Sequence, residues 1–374
     1  MSEFRIRKLT DRAGTGAPNF TYGFNINGSD SGILGVTHTV GSTEPSSPSN
    51  GDTWWDTGND KYYVYVDNEF KEYSIAASGN AWSGDRALVA GSDSTANDTV
   101  IQYFDITSAG NAIDFGDLTA DAKLGSAAGS SARTIFAKIA ISSSNSMDYV
   151  SAATLGNAQD FGDLNYSMDY TGSVSDGSRK VTGSKDNSGA MGYVAIDTTG
   201  NATSFGNLST SNWWGYNGMA CGNDGTYGTF AGSLNGSSAA NEIQYITIQT
   251  AANSSNFGGL SQTRDFYAFQ SCSDATRTVM GGGVGQGSHR NNIDYITTAT
   301  TGNATDFGDL TQAMRGMTGT SNDTVAVWCG GYHNTNYNQN VIQSVTIQTT
   351  GNATDFGDLL SAANEQMAGS GAAS

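Results

Sequence analysis

The stretch "TTGNATDFGDL" runs from Thr300 to Leu310 and recurs, letter for letter, from Thr349 to Leu359. An internal period decides a fold before any local reading does, so the first question is how many weaker copies exist. Its core, Phe-Gly-x-Leu, occurs at Phe115, Phe161, Phe205, Phe257, Phe307 and Phe356, at spacings of 46, 44, 52, 50 and 49 residues. Six copies at that period describe an array in which each copy is one supersecondary unit.

The unit from Leu260 to Leu310 divides cleanly. An apolar-rich segment (Phe266 to Cys272) is followed by "TRTVMGGG", the loop "VGQGSHRN", the run "NIDYITTAT", the turn "TGN" and "ATDFGDL". Each run is short, β-rich and bounded by Gly, Asn or Asp, which predicts four strands and no helix. Gly-Asn between two runs signals a tight hairpin. Phe307 and Leu310 anchor the outermost strand, and Gly308 between them permits a bend or a close backbone approach. In the first copy "RALVAGS" (Arg86 to Ser92) reads as a second strand with no first. After the sixth motif the chain continues "SAANEQMAGSGAAS", which matches first-strand segments elsewhere. The expectation is an all-β, six-bladed kelch-like β-propeller over residues 79–374, closed by a C-terminal strand that completes blade one. A small N-terminal β attachment region precedes it.

Composition agrees: 49 Gly, 3 Pro and 14% charged residues suit short strands and many turns. The net charge of −18 repels phosphate backbones and anionic lipid, so no nucleic-acid partner is expected. "MSEFRIRKLTDR" has no apolar core of a signal peptide, and no run of 18 apolar residues follows. The protein is therefore expected to be made in the cytoplasm without membrane insertion. Cys221, Cys272 and Cys329 show no metal-ligand spacing and are expected to be free and buried.

All three prolines, Pro18, Pro45 and Pro48, precede residue 49. Residues 1–40 read as an N-terminal arm or small β region and 41–52 ("GSTEPSSPSNGD") as a linker. Residues 53–78 read as an aromatic β-meander built on Trp54–Trp55, Tyr62 to Val66 and Phe70 to Tyr73. In "EFRIRKL", Phe4 and Ile6 alternate with Arg5 and Arg7. That pattern fits a strand added to a partner's sheet edge, or an ordinary first strand of a small domain.

Chemistry is sparse. The pairs Asp114/Asp117, Asp160/Asp163, Asp306/Asp309 and Asp355/Asp358 read as turn caps and edge charges, since no calcium-loop signature accompanies them. "MGGGVGQG" lacks a surrounding βαβ unit, so it is no nucleotide fingerprint. No catalytic residue, metal site or cofactor is expected. His289 and His333 fall at corresponding points of adjacent repeats, in loops between second and third strands. The longest such loops are Ser233 to Glu242, Val284 to Asn291 and Tyr332 to Asn340. Their Asn, Ser, Gly and Tyr suit a recognition surface, and equally ordinary solvated turns. The candidate binding residues are His289, Tyr332, His333, Asn334, Tyr337 and Asn338.

"PSSPSNGDTWWDTGNDKYYVYVDNEFKEYS" resembles a small module common in tailed-bacteriophage tail fibres, and the "TTGNATDFGDLT" repeats resemble kelch-like propeller arrays of phage virion proteins. The resemblance implies a virion structural protein, a tail fibre or appendage, that attaches to other tail proteins through Phe4, Arg5, Ile6 and Arg7. It implies a homo-oligomer, a trimer, whose propeller faces a host-surface glycan or protein or neighbouring subunits, and it implies no catalytic residues. A capsid-decorating or head-fibre protein, and a glycan-binding or glycan-processing propeller enzyme, stand as alternatives. The copies "SFGNL" and "NFGGL" lack both aspartates, so no role of the pair can hold in every repeat.

Overall fold

The computed structural model describes residues 38–58, 61–66, 68–72, 84–91, 99–120, 123–139, 145–166, 171–184, 189–209, 218–235, 238–266, 270–363 and 367–372. Two compact units divide the chain, Met1–Ala77 and Ser78–Ser374. All regular structure among the described residues is β.

In the first unit, Thr53–Asp56, Lys61–Val66 and Glu69–Glu72 pair antiparallel, as their aromatic runs predict. His38–Gly41 adds a fourth strand, parallel to Thr53–Asp56. The Pro/Ser stretch thus connects two strands of one sheet. The Asp52 carboxylate accepts the Ser49 N–H at 2.8 Å, and the Trp54 indole donates to the Gly41 carbonyl at 2.9 Å. Trp54 is buried because Tyr63 stacks on it at 5.0 Å between centroids and Phe70 meets it edge-on at 5.6 Å. Phe4, Arg5, Ile6 and Arg7 lie outside the described residues.

The second unit repeats one antiparallel plan. Repeat one uses Arg86–Ala90, Val100–Asp105 and Ile113–Asp117; repeat two Lys123–Gly129, Arg133–Ile139, Ser146–Ser151 and Gln159–Asp163; repeat three Thr171–Ser175, Arg179–Ser184, Ala190–Ala195 and Thr203–Asn207. Repeat four uses Ala220–Asn223, Tyr227–Asn235, Ser238–Thr247 and Ser255–Gly259; repeat five Gln270–Ser271, Arg277–Gly281, Asn292–Thr297 and Thr305–Asp309; repeat six Thr318–Ser321, Val325–Cys329, Tyr337–Thr346 and Thr354–Ala363. The strand missing from repeat one is Ala368–Ala372, near the C-terminus, antiparallel to Arg86–Ala90. One expectation changes: repeats four to six are not separate four-stranded sheets. Among the described residues the first strand of repeat five is Gln270–Ser271, which pairs parallel with both Ala220–Cys221 and Gly319, joining repeats four and six into an eleven-stranded sheet. Two residues of strand leave edges on either side that the neighbours satisfy.

Burial follows strand position. First strands are small and buried throughout, as in "TGSVS" and "TGTS", whereas fourth strands bury little beyond their Phe. Runs buried on both faces are the mark of sheets packed face to face. Six apolar clusters fill the spaces between successive repeats. Leu88, Phe115 and Phe136 join repeats one and two; Ile135, Phe161 and Val194 join two and three; Val181, Phe205 and Phe230 join three and four. Ala231, Phe257 and Met280 continue to repeat five, Val279, Phe307 and Trp328 to six, and Val327, Phe356 and Phe104 join repeat six to repeat one. No disulfide joins the three cysteines, which are all buried: Cys221 and Cys329 lie in these strands and Cys272 directly follows Gln270–Ser271.

The two halves of the opening motif bind each other across neighbouring repeats. In every repeat the turn Asn, which follows a glycine in five repeats and Ala252 in repeat four, accepts the N–H that follows Phe-Gly in the preceding repeat. Asp309 N–H meets Asn352 Oδ1 at 3.0 Å, and the same bond joins Asp117 to Asn157, Asp163 to Asn201, Asn207 to Asn253, Gly259 to Asn303 and Asp358 to Asn111. Beside each, the next residue donates its N–H back, as Ala353 does to the Asp309 carbonyl at 2.8 Å and Ala112 to that of Asp358 at 2.8 Å. A Cβ on Gly308 would collide with the Gly351 carbonyl, and each of the other five Phe-Gly glycines faces the same carbonyl of its neighbour. The motif persists because both surfaces of one joint are written into it.

Candidate functional site

The loops picked out by composition prove to be paired hairpins. In repeat four the second and third strands continue to Asn235 and Ser238, so most of Ser233 to Glu242 is strand and not loop. Its Gly/Ser/Asn composition hides that pairing, because those residues are common in turns. In repeat five Val284–Gly285 pairs with Ser288–His289. Gln286 and Gly287 between them have φ of 52° and 78°, the left-handed pair of a type I′ turn. In repeat six Tyr332–His333 pairs with Met314–Arg315 on one side and Tyr337–Asn338 on the other.

His289 and His333 therefore do not correspond, because His289 ends the returning strand of its hairpin and His333 the outgoing strand. They do occupy one neighbourhood. Tyr332 is its centre: the His289 ring meets it edge-on at 5.9 Å, Tyr337 meets it at 5.8 Å, and the Arg315 guanidinium lies 5.0 Å from its centroid. Tyr337 is 62% exposed. Asn334 is exposed at the hairpin tip, while Asn338 is half-buried and held by its backbone opposite Tyr332. The His333 Nδ1 accepts the N–H groups of Thr335 and Asn336 at 3.2 Å each, which requires that nitrogen to carry no proton. The Gln339 side chain donates to the Asn336, Tyr337 and Asn338 carbonyls at 3.0–3.1 Å. The tip is thus fixed by its own hydrogen bonds.

Burial, then the charge of Arg315, lowers the His289 pKa to about 4, so its imidazole is neutral near pH 7. Arg315 supplies the cation of the cluster. Two tyrosine faces, a guanidinium and an exposed amide suit stacking against a flat apolar face and hydrogen bonding to hydroxyl or peptide groups. Reading of the loops alone missed Arg315, which arrives from the segment before the first strand. The signal was available: Arg315 is a lone charge inside "QAMRGMTG".

The second aspartate of each pair acts through its backbone: the N–H and carbonyl groups of Asp117, Asp163, Asp309 and Asp358 make the joints described above, and the Asp117 carboxylate accepts the Thr99 hydroxyl at 3.2 Å. Among the described residues no group of three or more His, Cys, Asp or Glu is placed to hold a metal ion. No protein-family model matches the chain, and no curated protein matches it.

Proposed function

We propose that the chain is a non-catalytic, adhesive component of a tailed-phage particle, a fibre or appendage. In this reading its six repeats close into a six-bladed propeller, and the hairpins of repeats five and six meet a host-surface carbohydrate or protein. The observation that carries the recognition reading is the cluster of half-buried Tyr332, His289 and Arg315 beside exposed Tyr337, with its capped tip. Closure is supported by three series that each return from repeat six to repeat one: the strand Ala368–Ala372, the joint of Asn111 with Asp358, and the apolar cluster of Phe356 with Phe104. A filament of stacked repeats has no reason to bond its ends.

A glycan-processing enzyme would need carboxylates or other reactive groups on first strands. No Asp, Glu or His stands on the first strands Lys123–Gly129, Thr171–Ser175 and Thr318–Ser321, where the buried polar side chains include Ser126, Thr171, Ser173, Thr318 and Thr320, and Ser126 bonds Ser173 at 2.7 Å. The test is adsorption of the purified chain to candidate host cells and a glycan array, alongside mass-spectrometric detection in purified particles. Tyr332→Ala with Tyr337→Ala should cut binding at least tenfold while the thermal midpoint holds. Unchanged binding in that variant, or turnover of a polysaccharide by the wild-type protein, defeats the reading.

A further inference from the structure

Four repeats share a three-layer stack on the outer part of their sheets. Arg86, Arg133, Arg179 and Arg277 open the second strands and lie over Tyr103, Tyr149, Tyr193 and Tyr295, with guanidinium carbons 4.3–4.9 Å from the ring centroids. Each tyrosine in turn meets the motif Phe edge-on, at 5.8–6.1 Å. Each arginine also donates to a carbonyl of the following repeat: Ala152, Ile196, Ile248 and Ile347, at 2.8–3.2 Å. Repeat four keeps the aromatic part with Tyr227 on Tyr245.

Repeat six has neither layer. Val325 stands where the arginine would be and Ser344 where the tyrosine would be. The result is a cavity of about 390 Å³, whose lining includes Val325, Ser344, Thr354, Phe356, Asn352 and Ile106. Ile106 follows the third strand of repeat one, so its carbonyl corresponds to the four that accept an arginine elsewhere. The cavity lies at the end of the sixth sheet away from Tyr332 and Tyr337, because Val325 begins the strand that Cys329 ends before the hairpin.

We propose that this cavity is a binding site for an arginine side chain of a partner polypeptide. The guanidinium would lie over Phe356, in the space vacated by the tyrosine, and donate to the Ile106 carbonyl, reproducing from outside the bond that four repeats make internally. A planar donor fork fits better than an ammonium, since the internal precedents all combine ring stacking with an N–H to a carbonyl. The chain's net charge of −18 favours a cationic occupant. This site is separate from the hairpin cluster and does not depend on it.

The probe is N-acetyl-arginine methylamide titrated against the full chain and followed by NMR shifts of Val325 and Ile106. The lysine analogue should bind at least fivefold more weakly. Val325→Arg with Ser344→Tyr rebuilds the internal stack and should abolish binding while raising the thermal midpoint; Ser344→Tyr alone should weaken binding. Equal affinity for the two analogues, no saturable shift at Val325, or unchanged binding by a folded filled variant overturns the proposal.

Discussion

The fifth and sixth repeats share eleven letters at their outer edge and little chemistry in their middle strands. At the edge the same bonds recur: Ala304 donates to the Gly259 carbonyl as Ala353 does to that of Asp309, both at 2.8 Å. In the middle, repeat five buries a salt bridge. Arg264 Nη2 lies 2.9 Å from Asp294 Oδ2, both fully buried, and Asp294 also accepts the Ser261 N–H and hydroxyl at 2.9 and 2.6 Å. Repeat six has Met314 and Gln343 at those positions, and Gln343 accepts the Thr311 N–H and hydroxyl at 2.9 Å each. Repeat three goes further: Gly192 takes the place of the acceptor, and the Asn165 side chain enters the space. Joints made of backbone tolerate few letters, because a Cβ or a lost cap breaks them directly. Side-chain layers tolerate any set whose charge and volume close.

That contrast is broken first by converting repeat five to repeat six. Asp294→Gln alone leaves a buried guanidinium without its counter-ion and should cost about 3–5 kcal/mol by denaturant titration. Arg264→Met together with Asp294→Gln recreates the neutral pair and should recover most of that loss. A double variant as unstable as the single would mean that the layers are not interchangeable. Next in size is a pair of glycines on either side of one joint. Gly308→Ala sets a Cβ against the Gly351 carbonyl at φ +151° and should cost about 3 kcal/mol, whereas Gly351→Ala meets nothing within 4 Å and should stay within about 0.5 kcal/mol. Equal midpoints for the two would refute the close-approach account of the motif.

Legibility followed the same division. The Phe-Gly-x-Leu period, the strand order, the need for Gly308 and the return of the C-terminal strand to Arg86–Ala90 were readable, since backbone joints fix residue types. The role of Asn352 was not, because it acts on Asp309, in the preceding copy of its own motif. Arg315 escaped because the segment that carries it reaches the hairpin only through tertiary pairing. The cavity at Val325 and Ser344 could be seen only by laying six registers side by side, since it is made by residues that are missing. The parallel pairing of Gln270–Ser271 with the first strands on both sides had no local sign.

Lys180 is a departure inside the same frame. It is the second residue of its strand, where the other repeats have Ala87, Thr134, Gly228, Thr278 and Ala326, and it is fully buried. Its Nζ has no hydrogen-bond partner among the described residues, and burial lowers its pKa to about 7. Between pH 7 and the ordinary value of 10.5 the unfolded chain holds a proton that the folded chain has released. Stability therefore rises with pH across that window, and the full cost of the lysine is felt below it. Lys180→Met should stabilise the protein by about 2 kcal/mol at pH 7, with the advantage shrinking toward pH 10.5. A constant difference from pH 6 to 10.5 would show that Lys180 finds a partner in solution.

The smallest effect sharpens the joint itself. Asn352→Ala removes one acceptor from the Asp309 N–H, 3.0 Å away at an exposed position where water can replace it, so the cost should be about 1 kcal/mol or less. The loss should appear locally, as faster amide exchange at Asp309, before it appears in the global midpoint. Ala353 still donates to the Asp309 carbonyl, so the joint should loosen without opening. Exchange at Asp309 no faster than in the parent would mean that the asparagine serves the turn in its own repeat, and that the pairing of motif halves rests on backbone bonds alone.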